Sequence, residues 1–302
     1  MSDSFTTAKL VGGIGNQLFG YFAGYELAQK TSSQLRLDVT DIRLNRNVHR
    51  ASIETLNLPG EYYSKHQNIF SFGYLLERLI RKMSLINPTI NNVASKFLKE
   101  FNSTEVGYDS RVTSLTKGYR LQGYFQTWRH FYNCSPQTIR EMILLKEQSN
   151  WYTENLLEVL ANESIAIHVR RGDYITLADS YGLLASDYYL KGLEKLSALG
   201  KAGRVWVFSD DIASAQQMLR EHLPRNTKWV DPPIGTNPIE SLSLMSKTNS
   251  LVIANSTFSW WAAALNNHQD SIIRPSKWFK ALPDPLDLFP EEWHQIESCW
   301  IS

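Results

Sequence analysis

Apolar residues recur with period two in short runs and near helical spacing in longer ones, and the two patterns alternate along much of the chain. Thr7–Val11 reads as a strand, Gly12-Gly-Ile-Gly-Asn16 as a glycine-rich turn, and Gln17 to about Lys30 as a helix carrying Leu18, Phe22, Tyr25 and Leu27 near helical spacing. Gln34–Val39 reads as a second strand ending near Asp38, which completes a βαβ unit with glycines at its strand-to-helix turn. Residues 40 to about 115 are loosely patterned; Tyr74–Met83 predicts a helix there, stopped by Asn87-Pro88. Tyr119–Phe125 predicts a strand. It leads into Gln126-Thr-Trp-Arg-His-Phe-Tyr132, whose aromatic and hydrogen-bonding residues suit either a sugar-binding edge or plain packing.

From about Trp151 the alternation becomes regular. Ile165–Val169 and Arg204–Phe208 read as strands, each followed by a helix, around Asp187–Leu199 and up to about His222. A helix near Ile239–Lys247 precedes the strand Leu251–Ala254, a small-residue helix opens at Asn255–Trp261, and Ser271–Arg274 forms a last strand ended by Pro275. Strands alternating with helices imply a parallel sheet, and the chain divides near residue 155.

Composition narrows the class. The 302 residues suffice for about two domains, with 43% apolar and 20% charged residues and a formal net charge of +1. That balance offers no general attraction to nucleic acid. The N-terminus lacks a basic segment followed by an apolar run, so no signal peptide is expected. Thr248–Gln269 is uncharged and long enough for a membrane span, but Asn255, Ser256, Thr257 and Ser259 at its middle make it a strand, a polar turn and a helix. Cys134 and Cys299 are too few for a disulfide framework, which favours a reducing cytoplasm.

The candidate chemistry lies at strand ends. The Ile165–Val169 run delivers His168, Arg170, Arg171 and Asp173 into a turn at Gly172. Arginine presents a planar fork of donors, so two of them at a strand end suit a phosphate, provided the strand ends there; an Arg171–Asp173 ion pair that steadies the turn is the alternative. Ser209-Asp210-Asp211 and Asn255-Ser-Thr-Phe-Ser259 follow two further strands, with Asp210 and Ser256 also suited to capping helices. Ligands bind beyond the carboxyl ends of parallel strands, so the three clusters read as walls of one site. The arginines and the helix opening at Ser256-Thr257 would hold a diphosphate, and Asp211 would accept from a base or ribose. Gly13, Gly15 and Asn16 suit a ligand near the helix N-terminus, with Asn16-Gln17 as contact or cap. A dinucleotide fingerprint with Asp38 as the ribose acid is tempting, but its third glycine is replaced by Leu18. No Asp-x-Asp motif or His/Cys/carboxylate cluster with ligand spacing occurs, so Arg and backbone donors would stabilise a departing diphosphate.

Gly12-Gly-Ile-Gly-Asn-Gln-Leu-Phe19, His168-Val-Arg-Arg-Gly-Asp-Tyr174, Phe208-Ser-Asp-Asp211 and Asn255-Ser-Thr-Phe-Ser-Trp-Trp261, in that order, resemble the bacterial α-1,2-fucosyltransferases of glycosyltransferase family 11. The resemblance runs from residue 8 to about 280. It implies an α/β GT-B fold of two Rossmann-like domains facing each other across a cleft, residues 1–155 on the acceptor side and 156–302 binding the donor, with the C-terminal segment packing back on the first domain. It implies GDP-β-L-fucose as donor, no metal, and inversion to an α-L-fucoside on the 2-hydroxyl of a terminal β-galactoside such as lactose or an O-antigen repeat unit. Arg170 would bind the β-phosphate with Ser256 and Thr257, flanked by Phe258 and Ser259. His168 and Asp211 would lie near guanosine, and Asn16 would reach toward donor or acceptor. Asp173 is the nearest carboxylate for a base, a role left open. The lack of an anchor implies a cytoplasmic enzyme, peripheral to the inner membrane at most. The alternatives are a dinucleotide-dependent oxidoreductase and a non-catalytic glycan-binding protein.

Overall fold

A computed structural model describes residues 5–44, 53–64 and 99–301, which form two compact units, Met1–Ser135 and Pro136–Ser302. The helix expected at 74–83 lies outside the described residues.

The first unit is built on a parallel sheet of β1 (Phe5–Lys9), β2 (Gln34–Asp38), β3 (Glu61–Tyr63), β4 (Glu100–Asn102) and β5 (Arg120–Gln122), in the order β3-β2-β1-β5-β4. The helix Ile14–Lys30 follows β1 and is buried on most of its surface, including Leu18, Phe19, Tyr21, Phe22 and Leu27. It therefore carries no single apolar stripe, and its start, three residues ahead of the expected Gln17, was masked by glycines. Gly24 lets it lie against β1, since a Cβ there would stand 2.6 Å from Ala8 Cβ. On the other side Phe131 closes over Phe19 and Phe22, with ring centroids 6.3 and 5.3 Å apart.

The second unit is a six-stranded parallel sheet of β6 (Ser164–Val169), β7 (Arg204–Ser209), β8 (Lys228–Val230), β9 (Ser250–Val252), β10 (Ile272–Pro275) and β11 (His294–Ile296). Its order is β11-β10-β9-β6-β7-β8. Every residue of β6 is buried. Ile165, Ile167 and Val169 join Tyr188, Leu196, Val252 and Ile273 in one core cluster beneath the helix Ser186–Ala198. Several of the tryptophans are spent on the core. Trp260 and Trp261 meet edge to face at 5.1 Å, Trp260 Nε1 donates to Leu288 O at 2.9 Å, and Trp293 packs tilted against Trp260 at 5.5 Å.

Two expectations about chain organisation need correcting. The units divide at Ser135/Pro136, ahead of the expected 155/156. The cause is a buried carboxylate: Ser149 caps the helix Asn150–Leu160, and its N–H and hydroxyl donate to Glu240 at 2.8 and 2.5 Å, tying that helix to Pro238–Met245. The C-terminal segment, expected to return to the first domain, instead adds β11 to the second sheet, and Ile301 N donates to Leu183 O at 2.7 Å.

Among the described residues two histidines are buried. Burial depresses His130 to about 4, and its Nε2 accepts from Asp109 N at 3.3 Å. Burial, aided by the Arg170 charge, depresses His168 to about 3. Both folded-state values lie below the unfolded value near 6.5, so from pH 7 to 5 the unfolded chain takes up protons that the folded chain does not. Stability therefore falls as pH falls through that window, by on the order of 2 kcal/mol per histidine at pH 5. Urea denaturation at pH 7 and 5 checks this: His130→Gln should weaken the decline, and an unchanged decline in that variant contradicts it.

Candidate functional site

In the second sheet the chain moves outward from β6 through β7 to β8, then restarts beside β6 at β9 and moves the other way. The loops leaving β6 and β9 thus diverge, and a parallel sheet of this order opens a ligand crevice where they part. All three polar clusters of this unit lie at the ends of β6, β7 and β9.

Arg170 is the centre of the arrangement. Its Nη1 pairs with Asp210 at 2.8 Å, its Nη2 pairs with Asp173, and its guanidinium stands 5.0 Å from the Tyr174 ring centre. The side chain keeps 24% of its surface open, while Nε is buried without a partner. Asp210 also accepts from Arg171 N at 2.8 Å, so one carboxylate holds both the main chain of the turn and the guanidinium beside it. Gly172 is required by this approach, because a Cβ there would lie 2.2 Å from Asp210 Oδ2. Asp173, mostly exposed, is the partner an incoming anion would displace.

The paired-arginine clamp does not form. β6 ends at Val169 as the clamp required, but Arg171 turns inward at φ −131° and ψ −82° and is buried. Its Nη2 donates to Leu184 O at 3.0 Å and also contacts Met218 Sδ. The expected Arg171–Asp173 ion pair is accordingly an Arg170–Asp173 pair. At the end of β7 the helix cap is Asp211 rather than Asp210: it accepts from Ser214 N at 3.0 Å and from Ser214 Oγ at 2.5 Å. These bonds hold its carboxyl below the usual range. Ser209 Oγ accepts from Asp211 N at 3.0 Å and stabilises the same turn.

The third cluster divides by depth. Asn255 is buried and its Nδ2 donates to Tyr181 O, Gly182 O and Trp278 O at 3.0 to 3.3 Å, stitching three loops together. Ser259 is buried and bonds to Ala254 O. Ser256 caps the helix Thr257–Leu265 by accepting from Phe258 N at 3.3 Å. Thr257 and Phe258 remain partly open. The Phe258 ring stands 5.6 Å from that of His168, which links the β9 loop to the end of β6; His168 Nδ1 is buried without a partner. With no acidic residue in its first turn, the start of that helix suits an anion. Tyr174, the last residue of the His168–Tyr174 motif, was not assigned a role from the sequence, although its place four residues after Arg170 was the available signal.

In the first unit Gly13 is the N-cap of Ile14–Lys30 and Asn16 and Gln17 lie in its first turn, so neither is the cap. Gln17 instead braces the turn, its Nε2 donating to Gly12 O at 2.9 Å and its Oε1 accepting from Ile53 N at 3.0 Å. Gly15 is buried in the helix, whereas a Cβ at Gly13 would meet nothing within 4 Å. Asn16 Oδ1 accepts from Gln126 Nε2 at 3.0 Å. Asp38 is fully buried, accepting from Thr40 N at 3.0 Å and pairing with Arg120, so it cannot serve a ribose, and the dinucleotide reading loses its acid. Among the described residues no group of three or more His, Cys, Asp or Glu is placed to hold a metal ion. Among them, too, no helix is long and apolar enough to cross a membrane.

Residues 11–297 match the model of glycosyl transferase family 11. An alpha-1,2-colitosyltransferase of Escherichia coli is 29% identical over 98% of this chain and 100% of its own length. The O-antigen biosynthesis glycosyltransferase WbnK of Escherichia coli is 30% identical over 89% of this chain and 93% of its own. Among solved structures, the fucosyltransferase NodZ from Bradyrhizobium superposes with a TM-score of 0.53 at 15% identity, covering 88% of this chain and 94% of that one. NodZ is an alpha-1,6-fucosyltransferase whose crystals have been soaked with GDP-fucose. Two Rossmann-like parallel sheets with this likeness are the GT-B fold, and with the four motifs in place the chain belongs to glycosyltransferase family 11, the α-1,2-fucosyltransferase-like group that they resemble.

Proposed function

We propose that this glycosyltransferase moves L-fucose from GDP-β-L-fucose to the 2-hydroxyl of a terminal β-galactoside, with inversion and without a metal ion. The observation that carries this reading is Arg170: a partly open guanidinium, fixed by Asp210, at the switch point of the second sheet and just beyond β6, whose His168 ring meets Phe258 in the first turn of Thr257–Leu265. In the reaction the bond from fucose C1 to the β-phosphate oxygen breaks as the galactose 2-oxygen bonds to C1 and sheds its proton. The electron pair of the broken bond leaves with GDP. Arg170 offsets the charge that grows on that oxygen, and the N–H groups around Ser256 and Thr257 take the other phosphate oxygens. Asp173 gives up its place on Arg170 to the diphosphate. Neutral His168 and the Phe258 ring offer an uncharged flank for the nucleoside.

A second donor is favoured by the likeness to an alpha-1,2-colitosyltransferase over the whole length of both chains. Colitose is L-fucose without its 3-hydroxyl, so a phosphate site of this kind would serve both GDP-sugars equally, and contacts to the sugar would decide between them. Acceptors of the O-antigen type suit either donor.

Incubation with lactose, excess EDTA and either GDP-fucose or GDP-colitose, followed by product mass, tests the reading. Gain of one deoxyhexose or one dideoxyhexose is expected. Transfer abolished by EDTA and restored by a divalent cation overturns the metal-free mechanism, and transfer from neither donor to any galactoside overturns the assignment. Arg170→Ala should lower turnover about 100- to 1000-fold, the usual cost of removing one preorganised contact to transition-state charge. Turnover near that of the wild type would remove Arg170 from the site.

A further inference from the structure

The first unit holds a polar group that the fold leaves incomplete. Gln126, in the loop after β5, is only 6% exposed; its Nε2 donates to Asn16 Oδ1 at 3.0 Å, and its Oε1 is enclosed without a hydrogen-bond partner. An orphaned buried carbonyl is costly, and the few that native structures retain call for an explanation. The surroundings point to a ligand. Gln126 follows Phe125, a buried residue held at φ +52°, and non-glycine residues in that region concentrate at binding sites. Gly12 has φ +69°, and a Cβ there would stand 2.8 Å from Asn16 Nδ2, so the turn is shaped around the Asn16 carboxamide. Space is open at Gly13, and the exposed ring of Tyr124 is two residues from Gln126. These residues follow β1 and β5, the neighbouring strands at which the first sheet changes direction.

Two carboxamides in series present one donor, Asn16 Nδ2, and one acceptor, Gln126 Oε1. A phosphate would engage the donor and leave the acceptor orphaned; an ammonium would do the reverse. A hydroxyl both donates and accepts and satisfies the pair. Resting on the glycosyltransferase reading above, we propose that Asn16 and Gln126 form a subsite for a pyranose hydroxyl. Gln126 Oε1 accepts its proton, Asn16 Nδ2 donates to a sugar oxygen, and Tyr124 offers an aromatic flank. The hydroxyl comes from the acceptor galactose or from the sugar of the donor.

Kinetics of the wild type and of Gln126→Met, which keeps length but no amide, separate these sources. A tenfold or greater rise in the KM for a β-galactoside, with that for GDP-fucose within about twofold, identifies an acceptor hydroxyl. A comparable rise for GDP-fucose, with inhibition by GDP unchanged, identifies the donor sugar. In either case one monodeoxy analogue should lose about tenfold with the wild type and nothing further with the variant. Equal discrimination by both proteins, or no monodeoxy analogue that the wild type rejects, overturns the subsite; the latter holds even where the variant does not fold. A wild type that transfers no sugar defeats the functional reading first. Saturation-transfer NMR with methyl β-galactoside and with GDP-fucose then decides the subsite: sugar-proton signals lost on Gln126→Met retain it, and signals equal in both proteins, or absent from the wild type, reject it.

Discussion

The carboxylate of Asp210 is the group on which the geometry of the candidate site in the second unit depends. It leaves the end of β7, receives the main-chain N–H of Arg171 at 2.8 Å, and pairs with the Arg170 guanidinium at 2.8 Å. Remove that anchor and the turn after β6 loses the bond that fixes its course. Its closeness explains why residue 172 is glycine: no side chain fits beside Oδ2. The result is an arginine oriented before any ligand arrives, with one carboxylate, Asp210, holding both it and the turn and a more exposed one, Asp173, available for exchange. Preorganisation of this kind matters for a leaving diphosphate, because a donor already in place needs no reorganisation when charge develops.

The rest of the second unit keeps that arrangement rigid. Asn255 ties the loop after β9 to Tyr181, Gly182 and Trp278, and Asp211 fixes the start of the helix after β7. Arg171, which looked like half of a clamp, is a buried brace on Leu184. Nearly every conspicuous polar residue near the site is therefore engaged in structure, and only a few remain open to a ligand. The tryptophans follow the same logic. Trp260, Trp261 and Trp293, which might have stacked on a sugar, pack edge to face or tilted against one another in the core.

The order of the elements, the parallel sheets and the placing of polar clusters at strand ends were legible in the sequence, because each rests on local signals: alternation, glycine turns, caps and helical spacing. Strands β3, β4, β8 and β11 were not, since three residues without a longer apolar run around them owe their conformation to neighbours in the sheet. The division at Ser135/Pro136 was equally hidden, as it turns on a contact between Ser149 and Glu240, ninety-one residues apart.

Local pattern also brought the candidate residues together while leaving their roles open. That His168, Arg170, Asp173, Asp210 and Ser256 belong together follows from the position of each at the end of a parallel strand. Which arginine faces outward, which aspartate caps a helix, and whether Asp38 is free depend on partners distant in sequence: Leu184, Ser214 and Arg120. Gln126 is the sharpest case. Its meaning arises only when the end of β5 lies beside the turn after β1, leaving one carbonyl without a donor. Periodicity reports which face of an element is buried, and only the assembled sheet reports which buried polar atoms are left incomplete.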